Sequence, residues 1–180
     1  MLILLNGPPG VGKSTLAQLY VNDHPLALNL DIDLIRALLG RWQDRPTDAG
    51  RRARDLALAM ARTHLAAGYD VVIPQFLART EFIELLERLA DETGSVFREI
   101  VLLDSRAKVL RRFARRSATS RRQDHIDADA LLEHEGGEPA LAAMYDRLLD
   151  IIRHRRAARI VTSTDGSPRQ TYRAMLRALD

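Results

Sequence analysis

A glycine-rich stretch over residues 7–15 has the residue types needed to bind phosphate. It reads Gly-Pro-Pro-Gly-Val-Gly-Lys-Ser-Thr, a complete G-x-x-x-x-G-K-[ST] phosphate loop, or P-loop. Its glycines let the backbone turn successive N–H groups towards an anion, while Lys13 can reach the β- and γ-phosphates and Ser14 can offer a hydroxyl to Mg²⁺. The residues predicted to bind ATP and Mg²⁺ here are Gly7, Gly10, Val11, Gly12, Lys13, Ser14 and Thr15.

The use of lysine in this chain supports the P-loop. The sequence has 25 arginines and two lysines, Lys13 and Lys108. A chain that otherwise takes its positive charge from arginine therefore places a lysine in the loop. A compact ammonium fits around a phosphate there better than a planar guanidinium would. We accordingly predict a direct role for Lys13 in phosphoryl transfer.

Two carboxylates, Asp31 and Asp33, follow an apolar run over residues 26–30. Carboxylates at such a place can hold Mg²⁺ through its waters, or they can accept a proton from an attacking hydroxyl. Aspartate is also a common helix N-cap, and Asp33 could combine that structural role with a catalytic one. The spacing alone leaves these assignments open.

Further polar residues follow the other apolar runs. Gln75 offers both a donor and an acceptor, and Arg79 could bind a substrate anion. Asp104 ends a string like a Walker B motif, which is a weak metal signal because a buried strand before a helix cap looks the same. Thr164 and Asp165 belong to a turn that could cradle adenine through its backbone.

An arginine-rich segment follows Asp104. Arg112 and Arg116 share a helix face one turn apart, where like charges repel unless an anion lies between them. A triphosphate is such an anion, and phosphoryl transfer needs cations near its developing charge. The polar composition of residues 117–126 favours a mobile lid over about residues 112–127 that closes on ATP. A solvated basic helix face is the alternative interpretation.

Length, composition and net charge limit the class of protein to which this chain can belong. A length of 180 residues favours one compact domain spanning residues 1–180. The absence of cysteine excludes disulfides and thiolate metal sites. A net charge of +3 is compatible with anionic small molecules and does not require nucleic acid. Because no apolar run has the length of a membrane span or a signal peptide, we expect a cytoplasmic protein without membrane contact.

Apolar runs alternate with helical patterns along the chain, which predicts an α/β fold with a five-stranded parallel sheet covered on both faces. The carboxyl ends of the strands then share one edge, where ligands bind in such sheets. The predicted strands are 2–5, 26–30, 69–74, 97–103 and 159–162. The predicted helices are 16–20, 33–39, 51–67, 80–93, 105–116, 139–154 and one that starts near 167, with 40–50 as a loop.

The order of these features resembles the P-loop kinases of the AAA domain, zeta toxin-like group, near chloramphenicol phosphotransferase. The resemblance rests on the P-loop together with Asp31, Asp33, Arg36, Arg112, Arg116, Thr164 and Asp165. It implies a three-layer P-loop kinase fold with strand order 2-3-1-4-5, an arginine-rich lid, and ATP and Mg²⁺ as cofactors.

The resemblance also implies roles for individual residues. Asp33 would be the general base, since Asp33-Leu34-Ile35-Arg36 fits the family's Asp-x-Ile-Arg run, and Asp31 would assist with metal or substrate. The implied catalytic residues are Lys13, Asp33, Arg112 and Arg116. The substrate-binding candidates are Asp31, Asp33, Arg36, Gln75 and Arg79, and the metal ligands Ser14 and Asp31.

The sequence thus favours an ATP-dependent phosphotransferase that acts on a hydroxyl of a small molecule. The arginine-rich segments 51–54, 111–122 and 153–159 would instead suit a nucleoside or polynucleotide 5′-kinase. Aromatic residues make up only 5% of the chain, however, which leaves few platforms for base stacking. A nucleotide-binding switch or ATPase would need a residue that positions water, whereas the aspartate pair favours activation of a hydroxyl.

Overall fold

The computed structural model describes residues 1–119, 126–127, 130, 132–133, 136–164 and 166–180, and for residues 115–119 it describes the backbone only. Five strands form one parallel sheet in the order β2-β3-β1-β4-β5, which confirms the predicted α/β fold and strand order. The strands are β1 (Leu2–Asn6), β2 (Leu28–Asn29), β3 (Val71–Pro74), β4 (Phe97–Leu103) and β5 (Arg159–Thr162). The helices include α1 (Lys13–Asp23), α2 (Ile32–Ala37), α3 (Pro46–Ala66), α4 (Glu81–Glu92), α5 (Arg106–Thr119), α6 (Gly137–His154) and α7 (Pro168–Arg177).

Each face of the sheet buries its own apolar cluster. Successive side chains of a strand point to opposite faces, so Leu2 and Leu4 join the cluster under α3 and α4. Ile3 and Leu5 join the opposite cluster, under α1 and α7. All four side chains are fully buried. Burial on both faces explains why β1 is continuously apolar rather than alternating.

Two of the differences from the sequence prediction concern residues 40–50 and strand β2. Residues 40–50, predicted as a loop, contain a 3₁₀ turn at Trp42–Asp44 and the start of α3 at Pro46. Proline is favoured in the first helical turn because its missing N–H has no partner there anyway. Strand β2 is also shorter than predicted, covering two residues.

The start of α2 corrects the predicted cap. The helix begins at Ile32, and the Asp33 N–H donates a 3.0 Å hydrogen bond to Asp31 Oδ1. Asp31 is therefore the N-cap of α2, a position that the sequence prediction gave to Asp33. This frees the Asp33 side chain from capping.

The parallel arrangement brings the carboxyl ends of the five strands to one edge. The P-loop follows β1 at this edge, Asp31 and Asp33 follow β2, and Gln75 follows β3. Within the described part of the chain, no helix is long and apolar enough to cross a membrane.

Candidate functional site

The P-loop is shaped by glycines that no other residue could replace without strain. Gly7 has φ +145° and Gly12 has φ +105°, in the region that side chains with a Cβ rarely adopt. A Cβ at Gly7 would also lie 2.5 Å from the Leu102 carbonyl oxygen of β4. At Gly12 the same atom would meet open space. The loop is therefore pressed against the sheet at its start and open where α1 begins.

Lys13 and Ser14 begin α1 directly after the loop. The Lys13 Nζ donates to the Gly7 carbonyl at 2.7 Å and to the Pro8 carbonyl at 3.1 Å. Its ammonium thus lies over the P-loop backbone. The first N–H groups of an α-helix have no intrahelical partner and carry the positive end of the helix dipole. Loop, lysine and helix start together make an anion-binding site.

A pocket of about 300 Å³ lies between the P-loop, the helix α5 and the end of β5. Ser163 lies behind it: its Oγ donates to the Val11 carbonyl at 2.9 Å and accepts from Arg112 Nη1 at 2.9 Å. Arg112 therefore lines the pocket beside Gly10 and Thr15. Ser163 was not among the predicted site residues, because a serine after a strand is ordinary turn chemistry in a sequence.

Asp104 is an anchor for Arg112. Its carboxylate is 4% exposed, and Oδ2 lies 2.8 Å from Arg112 Nη2 while Oδ1 lies 3.4 Å from Lys108 Nζ. Oδ1 also accepts from the Ser105 N–H at 2.7 Å. A carboxylate held by two cations does not suit a metal, which argues against the weak Walker B signal. Arg112 therefore has an acidic partner of its own in Asp104, while the side chain of Arg116, with which repulsion was predicted, lies outside the described residues.

The remaining predictions at this pocket have different outcomes. Thr164 lines the pocket, but its N–H donates to Thr171 Oγ1 at 2.9 Å and is therefore not available to an adenine ring. Asp165, the side chain of Arg116 and the larger part of the predicted lid over residues 112–127 lie outside the described residues.

Asp31 and Asp33 lie on the other side of the P-loop. Strand β3 separates β2 from β1, so the aspartates and the P-loop follow strands that are not neighbours in the sheet. Asp31 is buried, whereas the Asp33 carboxylate is one-third exposed and pairs with Arg36 at 3.1 Å. The Arg36 guanidinium also lies 4.7 Å from the ring centre of Trp42, which fixes its position.

Gln75 lies between the P-loop and the aspartates, at the end of β3. Its N–H donates to the Leu5 carbonyl at 3.1 Å. Three buried polar atoms on this side make no hydrogen bond within the described part of the chain: Gln75 Oε1, Arg36 Nε and Asn29 Oδ1. Since buried polar groups are nearly always satisfied, this side of the edge is suited to a polar ligand.

Asn6, the last residue of β1, joins the P-loop to the segment after β3. Its fully buried carboxamide accepts from the Gly7 N–H at 2.8 Å and from the Leu77 N–H at 2.9 Å, and donates to the Leu77 carbonyl at 3.1 Å. Sequence reasoning missed this residue. Its one signal is a polar side chain that ends an otherwise apolar strand.

A larger cavity of about 760 Å³ adjoins this segment. Helix α3, residues 76–79, α4 and α6 form its wall, and Arg79 is among the residues that line it. The P-loop strand β1 is central in the sheet, so the smaller pocket and this cavity lie on opposite flanks of it.

The oxygen groups near the P-loop suit a Mg²⁺ ion that binds together with a nucleotide. Among the residues that the structure describes, no three His, Cys, Asp or Glu side chains converge on a metal position. Mg²⁺ keeps several waters and takes phosphate oxygens, so it needs no protein cage. Ser14 in the loop could supply a hydroxyl, and Asp31 could act through water since its Oδ1 already caps α2.

Comparisons with known proteins agree with this architecture. The profile of a family described as "AAA domain" matches residues 2–135. No curated protein matches the chain in sequence. A gluconokinase from Sinorhizobium meliloti 1021 is similar in structure, with a TM-score of 0.62 and 17% identity, over 99% of this chain and 91% of that one. A protein from Chloroflexus aurantiacus J-10-fl whose kinase assignment is provisional has a TM-score of 0.67 and 15% identity, over 99% and 94% of the two chains.

Proposed function

The chain belongs to the AAA domain family, and from this premise we propose that it is a kinase that transfers the γ-phosphate of ATP to a hydroxyl of a small molecule. Membership and the P-loop imply nucleotide binding. The transfer step, the acceptor and the roles of individual residues are our proposal, and the likeness to two solved structures supports it only at the level of the fold.

The observation that carries the proposal is the pair of cavities on opposite flanks of the P-loop. The smaller one contacts Gly10, Thr15 and Arg112, while a wall residue of the larger one, Leu77, is hydrogen-bonded to Asn6 directly before the loop. A nucleotide switch or ATPase needs one such cavity and a water. A kinase needs two, because donor and acceptor must meet in line at the transferred phosphoryl group.

On the nucleotide side, we assign binding of the phosphates to the P-loop backbone and Lys13. The ammonium can exchange its two loop carbonyls for phosphate oxygens without leaving the loop. Arg112, held by Asp104 and Ser163, would present its guanidinium to the nucleotide with little loss of side-chain entropy on binding. Mg²⁺ would supply further charge neutralisation of the phosphates when it is bound beside Ser14.

On the acceptor side, we assign the general base to Asp33. Its carboxylate is not used as a helix cap, is partly exposed, and is oriented by Arg36. It would accept the proton of the acceptor hydroxyl as that oxygen attacks the γ-phosphorus, while the bond from the γ-phosphorus to the bridging oxygen breaks and ADP leaves. Asp31 would hold the start of α2 and thereby the position of Asp33, and Gln75 would donate or accept a hydrogen bond to the bound acceptor.

The structure gives less support to a polynucleotide 5′-kinase. In the basic segment 153–159, Arg155 is tied into the protein by Glu99 and Glu87, each at 2.5 Å. Arg159 donates to the Ala178 carbonyl at 2.9 Å. Two arginines that would have formed a nucleic-acid surface therefore bind groups of the chain itself. We retain the small-molecule acceptor for this reason.

The experiment compares the wild-type protein with Lys13→Ala. We expect wild-type protein to bind Mg·ATP in calorimetry and to form ADP faster when hydroxylated compounds are added. Lys13→Ala should remain folded. Its activation free energy for phosphoryl transfer should rise by several kcal/mol, the order of magnitude for removal of a preorganised charge. Lys108→Ala, at the only other lysine in the sequence, is the matched control and should keep the activity. Unchanged ATP turnover in folded Lys13→Ala would contradict the proposal.

A further inference from the structure

The larger cavity combines several arginines with an apolar wall. Its charged lining residues are Arg51, Arg54, Arg79 and Arg147 against Asp55 and Glu81, a formal excess of two positive charges. We propose that this cavity binds an anionic group of the acceptor, a carboxylate or a phosphate ester, so that the substrate is a hydroxylated organic anion. The inference rests on the proposed function and specifies its substrate class.

The arginines come from elements far apart in sequence. Arg54 lies on α3, Arg79 follows β3 and Arg147 lies on α6. A basic stripe on one helix would be an ordinary solvated face, but convergence of three elements on one cavity needs the tertiary fold. Positive groups gathered this way repel one another, and a bound anion would relieve that repulsion.

The nearby carboxylates leave most of this charge uncompensated. Asp55 pairs with Arg52, which does not line the cavity, at 3.6 Å, and Arg51 pairs with Asp48 at 3.2 Å. Among the residues that the structure describes, Arg54, Arg79 and Arg147 form no ion pair. Guanidinium groups bind carboxylate and phosphate through paired hydrogen bonds, which fits either anion.

The apolar part of the wall limits what the rest of the acceptor can be. Phe76, Phe82 and Met144 line the cavity together with Leu58, and the Arg54 guanidinium lies 6.0 Å from the ring centre of Phe82. A volume of about 760 Å³ is typical of small-molecule sites. These features favour a compact organic anion over a polynucleotide end, which would need an open groove with stacking platforms.

The cavity is linked to the residue before the P-loop by a hydrogen bond from its wall. Leu77 lies in its wall and is hydrogen-bonded to Asn6 at the start of the loop, while α3 packs against α2, which carries Asp33. An acceptor anchored through its anionic group would therefore extend its hydroxyl towards Asp33 and the γ-phosphate. The arginines would act in binding and orientation, and the proton transfer would stay with Asp33.

The first test titrates the protein with inorganic phosphate while Mg²⁺ and a non-hydrolysable ATP analogue fill the P-loop. We expect a saturable rise in the unfolding midpoint. The Arg54→Gln/Arg79→Gln double variant should weaken phosphate binding at least tenfold. Arg62→Gln, on the same helix as Arg54 but outside the cavity and paired with Glu92, which does not line it either, should not. A response that is absent, or equal in all three proteins, overturns the inference. If the analogue fails to bind, the proposed function fails, and the arginine comparison still decides the cavity.

The second test measures ATP-dependent phosphorylation of matched acceptors. The pairs are gluconate and glucose, glycerol 3-phosphate and glycerol, and pantothenate and pantothenol. We expect kcat/KM to be at least tenfold higher for the anionic member of each pair. In the double variant this preference should disappear because KM for the anionic acceptor rises. Preference for carboxylates or for phosphate esters identifies the anion. Equal use of the neutral members would overturn the anionic class while leaving the kinase proposal standing.

Discussion

The carboxamide of Asn6 is hydrogen-bonded to both backbone groups of Leu77, across 71 residues of sequence. The same carboxamide oxygen accepts from the Gly7 N–H, so one side chain fixes the start of the P-loop and the wall of the larger cavity. The two flanks on which donor and acceptor are proposed to bind are thereby held in one geometry. Positioning of this kind matters because small displacements of reacting groups cost large factors in rate.

Asn6→Ala should destabilise the protein and impair both flanks. It leaves the Gly7 N–H and both Leu77 groups buried without a partner, which costs on the order of 2–4 kcal/mol in the free energy of unfolding. Urea denaturation measures that loss, and KM for ATP and for the acceptor should both rise. Asn22→Ala, at an exposed asparagine of α1, is the control and should change the stability little. A change confined to KM for ATP would contradict the shared positioning.

Gly7→Ala should cost more stability than Gly12→Ala. Both glycines have positive φ, so either substitution introduces backbone strain of about 1–3 kcal/mol. At Gly7 the new Cβ would in addition lie 2.5 Å from a β4 carbonyl oxygen, whereas at Gly12 it meets open space. Parallel urea denaturation of the two variants tests the difference. Equal losses would mean that the loop is not pressed against β4.

Arg112 is predicted to serve stability and nucleotide binding separately. Arg112→Gln leaves the buried Asp104 without its nearest cation, which should cost roughly 3–5 kcal/mol. Adding Asp104→Asn should restore most of the stability because the buried charge is gone. It should not restore ATP affinity, since the guanidinium stays absent. Calorimetry and urea denaturation together make the test, and recovery of both properties would reduce Arg112 to a structural role.

Asp33→Asn should separate a kinase from a switch. Asparagine keeps the size of the side chain and cannot accept the proton, so transfer to the acceptor should fall by about 10²-fold or more. Affinity for ATP should stay nearly unchanged, because Asp33 lies on the acceptor side of the P-loop. Stability should also change little, since the capping group of α2 is Asp31.

Asp31→Asn is the matched comparison for that variant. Asparagine can still cap α2, so the main effect expected is a raised Mg²⁺ requirement with a smaller loss of proton abstraction. Steady-state rates over a range of Mg²⁺ concentrations distinguish the two variants. Loss of ATP binding in folded Asp33→Asn would place Asp33 with the nucleotide and move the base elsewhere.

The sequence by itself determined the architecture and the phosphate site. A P-loop is a local motif, because strand, glycine turn, lysine and helix start are contiguous, so residues 2–15 are enough to identify it. The strand count followed in the same way from the apolar runs, although β2 is only half-buried and β5 is mostly exposed. The strand order came from the resemblance to P-loop kinases, and the structure confirms it. Element ends were less accurate, as at Asp31 and Pro46, since a cap is decided by which side chain reaches a free N–H.

Only the tertiary structure decided how the flanks of the P-loop are built. Asn6 and Leu77 are partners separated by 71 residues, and Ser163 and Arg112 are partners separated by 51. The arginines of the larger cavity come together only because α3, the end of β3 and α6 fold around one space. Periodicity and composition report which residues are buried or charged, but not which distant groups meet. That depends on the packing of whole elements, which local patterns do not encode.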